Sequence, residues 1–227
     1  MNVTLHYLYD PLCGWCYGAA PLIQIAREIA TVIPHAGGLM VGDARRPVTP
    51  ELARFVKLHD KNIAQLSGQP FGDAYTDGLL NDAGAMFDSE LPITAVLAAE
   101  QLAQRGLDLL ARLQTAHYVD GKRIADTQVL LALAVDIGLD AAGFEHAFKQ
   151  LAGAATHAHI DATRALMART QAHGFPALSL AHDGISTPID ITAYFGKPDA
   201  WRAWLTRRLA ADTATDNTVT TAQGCTP

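Results

Sequence analysis

Residues 9–21 read Tyr9-Asp10-Pro11-Leu12-Cys13-Gly14-Trp15-Cys16-Tyr17-Gly18-Ala19-Ala20-Pro21, a strand end, a proline turn and two cysteines at the opening of a helix. Ahead of it, Thr4 to Tyr9 is short and rich in β-branched, Leu and Tyr side chains, which predicts a strand. Pro11 cannot donate to a sheet ladder and biases Asp10 away from helix, so the chain turns there. From about Cys13 onward apolar positions recur at helical spacing, with Leu22, Ile25, Ile29 and Val32 or Ile33 as the expected buried stripe and Pro34 as the end. Pro21 lies inside this helix and is expected to bend it.

Beyond this helix, His35 to Gly42 reads as a second strand, with Gly37-Gly38 permitting close backbone approach. Residues from about 50 to 173 are dominated by helical periods. Thr49-Pro50-Glu51 is a cap followed by a proline at the first helical position. Thr94 to Gln104, Leu107 to Tyr118, Asp126 to Ile137, Ala141 to Leu151 and Ile160 to Ala172 follow as short helices. A helical block without a strand has to pack beside a sheet as a subdomain. Phe71, Tyr75 and Phe87 are expected to form a core between its helices. After Gly174 the pattern returns to strand: Ala177 to Ala181, a turn at His182-Asp183-Gly184, then Ile185 to Ile189 as an antiparallel hairpin. Lys197-Pro198-Asp199 opens the last helix, with Trp201, Trp204, Leu205 and Leu209 mostly on one face. Residues 213–227 lack periodicity and read as a loose tail.

The 227-residue chain holds 17 Lys and Arg against 23 Asp and Glu, a formal charge of -6. Without a basic patch to neutralise phosphates, nucleic acid is not an expected partner. Its apolar runs fall short of the ~20 residues that span a bilayer, so no membrane is expected. The N-terminus does not look like a secretory signal, so a cytoplasmic protein is expected. Three cysteines are too few for a disulfide-stapled scaffold, and Cys225 falls in the tail.

The chemistry concentrates at Cys13 and Cys16. A three-residue separation is about one helical turn, so both sulfurs lie at one helix end, close enough to bond. The positive helix end favours an anion at Cys13, making it the attacking thiolate, with Cys16 placed to resolve a mixed disulfide. A structural metal is not expected, because no second cysteine pair exists and His6, His35 and His59 have no ligand-like spacing.

The segment YDPLCGWCYGAAP resembles the active-site region of the thioredoxin superfamily, Pro21 matching its helix-kinking proline. More narrowly, the helical insertion, GGLMVGDARRP, SGQPF at 67–71 and HGFPAL at 173–178 resemble the DsbA-like family in its cytoplasmic protein-disulfide isomerase branch. The resemblance implies an α/β thioredoxin-like fold, a central mixed sheet flanked by helices with a helical insertion between the second and third strands. Residues 1–48 and 174–212 would be the two halves of that domain, residues 49–173 the insertion, and residues 213–227 a tail. It implies that Pro176 is cis and faces the cysteines, with Gly174 and Phe175 offering backbone groups to an extended substrate. Trp15, Tyr17 and Phe175 are expected as an apolar rim, Asp10 and His173 as candidates for a proton relay, and Asp43 as a weaker one. The best-known periplasmic DsbA proteins have Pro-His between their cysteines; Gly14-Trp15 here lacks the stabilising histidine and suggests a less oxidising couple.

The expected function is a thiol-disulfide oxidoreductase, a reductase or isomerase working through Cys13 and Cys16. Its substrates would be protein, peptide or small-molecule disulfides. No tightly bound cofactor is expected, with glutathione or another cellular thiol as reductant. Two alternatives stand beside it. One is a glutathione-binding enzyme like the kappa-type transferases or 2-hydroxychromene-2-carboxylate isomerase, which use serine where this chain has Cys13. The other is a redox-inactive peptide-binding or chaperone-like module.

Overall fold

β1 (Thr4–Tyr9) forms where the sequence predicts it, and its alternation buries Leu5, Tyr7 and Tyr9 on one face. The structure is a computed structural model and describes residues 3–182 and 185–220, the side chains of 212–220 excepted. α1 (Gly14–Ile29) starts directly after Cys13 and carries Pro21 within it. It ends well before Pro34, because β2 (Thr31–Ala36) begins at once and runs parallel to β1, from Thr4 opposite Thr31 to Tyr9 opposite Ala36. The expected second strand at His35 to Gly42 is thus displaced towards the N-terminus, and Pro34 lies in a strand rather than closing the helix. The β-branched run Thr31-Val32-Ile33 decides this. β2 is an edge strand, where the missing proline donor is tolerated.

β5 (Ala177–His182) pairs antiparallel with β1, and β6 (Ile185–Ile189) antiparallel with β5, giving the order β2-β1-β5-β6. The hairpin is therefore present, while Asp183 and Gly184 of its turn lie outside the described residues. α8 (Pro198–Thr220) packs back on α1, where the buried Trp201 donates its indole N–H to the Leu22 carbonyl at 2.8 Å. It runs to Thr220, into the segment expected as a loose tail; residues 221–227, Cys225 among them, lie outside the described residues.

Between β2 and β5 come α2 (Pro50–Ser67), α3 (Glu90–Ala103), α4 (Gly106–Tyr118), α5 (Thr127–Asp136), α6 (Ala141–Leu151) and α7 (Ala154–Thr170). The Thr49 hydroxyl caps α2 by accepting from Leu52 N, with Pro50 in the first turn. The block also holds a strand: β4 (Met86–Phe87) pairs with β3 (Arg46–Pro47) in a two-stranded antiparallel ribbon. One core runs from the sheet through α1 and α8 into α3–α6, and a second joins Tyr17 to Tyr75, Phe87 and Tyr118, with Phe71 at its margin. α7 lies against β2, where His159 accepts from Ala36 N at 3.1 Å. This is an α/β thioredoxin-like fold, a mixed sheet flanked by helices with a helical insertion between the second and third strands of the main sheet.

Candidate active site

Cys13 is the N-cap of α1. Its backbone is extended (φ -87°, ψ 110°), and its sulfur accepts from Cys16 N at 3.3 Å. On the other side, the Cys13 thiol donates to the Phe175 carbonyl at 3.4 Å. Phe175 belongs to the connection between α7 and β5, and its bond to Pro176 is cis. A contact spanning the whole insertion therefore brings together the two sequence elements singled out for chemistry. Phe175 turns its ring over Gly37, where a Cβ would stand 2.1 Å from its Cζ, so any side chain there would have to push the ring aside.

Cys16 lies one turn further in, 0% exposed, and meets Tyr7 of β1 from beneath. Burial pushes its thiol well above the ordinary range, and the hydrogen bond and charge of Cys13 push the same way. The Tyr7 hydroxyl is also raised, chiefly by burial. Both cysteines are free thiols. This corrects the expectation of a centre working through a Cys13–Cys16 disulfide: the two sulfurs are unbonded, and burial holds Cys16 in its neutral form.

Asp10, expected as a relay, is fully buried and fully engaged. Its carboxylate accepts from Leu12 N at 2.8 Å, Leu39 N at 2.6 Å and the Ser89 hydroxyl at 2.9 Å. Burial pushes the carboxyl up, against the pull of these bonds and of Arg164. It pins the turn before α1 to the segment after β2 and to the start of α3. His173 is exposed, and among the described residues no hydrogen bond links it to either cysteine. Gly174 is exposed beside it. Asp43 sits in a short helical turn, Gly42–Ala44.

Trp15 is half-buried and stacks on Phe195 at 5.9 Å. Tyr17, expected at the rim, is instead buried: it stacks on Tyr118 at 4.8 Å and donates to the Pro70 carbonyl at 2.8 Å. Gln69 returns a bond to the Tyr17 carbonyl at 3.1 Å, so the 67–71 segment clamps the first turns of α1. Tyr17 packs inward because the insertion covers that side of the helix.

The sequence reading missed Asp60. It stands on α2, 6% exposed, and accepts from the Tyr75 hydroxyl at 2.9 Å. A Cβ at Gly14 would stand 3.1 Å from its Oδ1 and 2.9 Å from Ile63 Cδ1, so the glycine between the cysteines admits the carboxylate to the opening of α1. Burial pushes Asp60 up to about 6, the Tyr75 bond opposing. Ala53, Val56, Asp60 and Ile63 share the inward stripe of α2, so an acid at an apolar position was the signal available. Among the described residues no group of three or more His, Cys, Asp or Glu is placed to hold a metal ion.

No protein-family model and no curated protein sequence matches the chain. Solved structures do. The cytosolic disulfide reductase DsbM from Pseudomonas aeruginosa is 50% identical, with a TM-score of 0.87, over 92% of this chain and 99% of that one. DsbM solved with GSH is 48% identical, with a TM-score of 0.85, over 91% and 99%. A 2-hydroxychromene-2-carboxylate isomerase, 14% identical with a TM-score of 0.58 over 92% and 98%, shares the fold.

Proposed function

Since the chain belongs to the DsbA-like branch of the thioredoxin superfamily, among its cytosolic, DsbM-like disulfide-handling proteins, we propose that it is a glutathione-binding enzyme that handles thiols at Cys13. In relying on bound glutathione rather than on its own second cysteine, it is nearer to the kappa-type transferases than to an enzyme with a two-cysteine redox centre. The observation that carries the reading is the seating of Cys13 between the α1 N-terminus and the Phe175 carbonyl, in a chain whose 48%-identical relative was solved with GSH.

Glutathione is a short peptide with a thiol at its centre. The exposed Gly174 and the Phe175 backbone offer it an edge to pair with, as an extended chain pairs with a strand. Its sulfur then reaches the α1 end, where first-turn N–H groups without intrahelical partners favour a sulfur anion. A Cys13 thiolate attacks the glutathione sulfur of a mixed disulfide, forming Cys13–S–S–glutathione and releasing the other half as a thiolate. A second glutathione thiolate takes the glutathionyl group, leaving glutathione disulfide and the Cys13 thiolate. Cys16 stays a buried thiol throughout. Peptides, proteins or small molecules carrying glutathione through a disulfide are the fitting substrates, and the relatives' cytosolic names support a cytoplasmic setting.

Calorimetric titration with reduced glutathione, followed by intact-mass analysis and peptide mapping after exposure to glutathione disulfide, tests this on wild type, Cys13→Ser and Cys16→Ser. Binding by all three, with one adduct on Cys13 wherever Cys13 is present, is the expected result. Absence of binding, or an adduct that maps elsewhere, would refute it.

A further inference from the structure

Asp60 is carried by the insertion, far in sequence from the cysteines, yet its carboxylate lies against Gly14 at the opening of α1. The titratable groups facing this corner come from three directions. Cys13, Cys16 and Tyr17 stand on α1; Tyr75 on the short helix Ala74–Gly78 donates to Asp60; and Tyr118 and His117 stand on α4. The Tyr118 hydroxyl lies 4.0 Å from the Gly14 Cβ position, and burial, with the charge of Asp60 adding to it, holds its proton. His117, packed on Tyr75 and Tyr118, is kept neutral by burial, its pKa about 4. None of these groups is a cation at neutral pH. A buried carboxylate without a cation is costly, and it shares the positive end of one helix with any thiolate formed there. A thiolate formed there and the Asp60 carboxylate would repel each other.

We propose that Asp60 is the acid-base group that exchanges one proton with the sulfur at the N-terminus of α1. When that sulfur ionises, its S–H bond breaks, the electron pair stays on sulfur, and an O–H bond forms on the Asp60 carboxylate. When the sulfur is captured in a disulfide or leaves as a thiol, the proton is given back. The insertion thus supplies the acid-base group as well as a wall. This deepens the glutathione reading, on which it rests for the identity of the incoming sulfur.

The test uses Cys13 alone, so its failure is separable from a failure to bind glutathione. The alkylation rate of Cys13 by iodoacetamide, resolved from other cysteines by peptide mass, is followed across pH in wild type, Asp60→Asn and Tyr75→Phe. Wild type is expected to show a second inflection near the Asp60 value of about 6. Asp60→Asn should lose it and react roughly three- to tenfold faster at neutral pH as the repulsion is relieved. Tyr75→Phe keeps the carboxylate but removes the bond that favours its ionised form, so the inflection should move to higher pH. An Asp60→Asn profile superimposable on wild type overturns the proposal. If that variant does not fold, an unmoved inflection in folded Tyr75→Phe overturns it equally.

Discussion

Replacing Asp60 by Asn should make the protein more stable, and increasingly so as pH rises. The carboxyl goes from an ordinary 3.8 to about 6 on folding, so the folded chain holds its proton over a window where the unfolded chain has released it. Below about pH 4 both states are protonated and the group contributes nothing; as pH rises to about 6 and beyond, the folded state pays to ionise it. The gap of about two units, at ~1.4 kcal/mol each, amounts to ~3 kcal/mol lost above neutrality, with roughly half lost by pH 5. Asparagine is nearly isosteric and still accepts from Tyr75, so most of this should be recovered. For a chain of this size, with a urea m-value of ~3 kcal/mol per molar, the midpoint should rise by ~1 M at pH 8 and by little near pH 4. Urea titrations of both proteins across that range make the comparison, and the buried histidines, present in both, cancel. An Asn variant less stable than wild type at pH 8, or a gap that does not grow with pH, would refute the assignment of Asp60 as a carboxylate that folding desolvates.

Other substitutions probe the rest of the frame. Trp201→Phe removes a fully buried indole and its bond to the Leu22 carbonyl, and should cost ~2–3 kcal/mol in a thermal or urea melt while leaving Cys13 alkylation unchanged. Asp10→Ala strips acceptors from Leu12 N, Leu39 N and Ser89; at ~1–3 kcal/mol per buried group left unpaired it should be the most destabilising of these changes, with Asp10→Asn milder. Gly37→Ala places a Cβ 2.1 Å from the Phe175 ring, so the ring and the carbonyl facing Cys13 must shift; glutathione affinity should fall about tenfold or more, measured by calorimetry on folded protein. His35 and His117 are held to about 4 by burial, so the neutral forms belong to the fold. The histidines' contribution to stability should be constant above about pH 6.5 and fall as pH drops towards 4, opposing the gain from Asp60 over the same range, and His117→Gln should flatten the histidine part of the decline in urea titrations.

What the sequence determined by itself is whatever depends on near neighbours. Thr4 to Tyr9 as a strand, the turn at Asp10-Pro11, a helix opening at Cys13, the Thr49-Pro50 cap and the hairpin around His182 follow from propensity, proline sterics and spacing, and the structure contains them. The tertiary structure decided everything that depends on distance along the chain. Thr31 to Ala36 fits a helical period and a strand alike, and pairing with β1 chose the strand. Tyr17 looks like a rim residue until α2 and the 67–71 segment cover it. Cys16 is one turn from Cys13 in any helix, but only packing against Tyr7 buries it as a neutral thiol. Asp60 sits among charged residues of α2 in the sequence, and reaches Gly14 because the insertion folds back onto α1. Backbone preferences act over a few residues, whereas desolvation and close contact between distant segments arise only when the chain closes on itself.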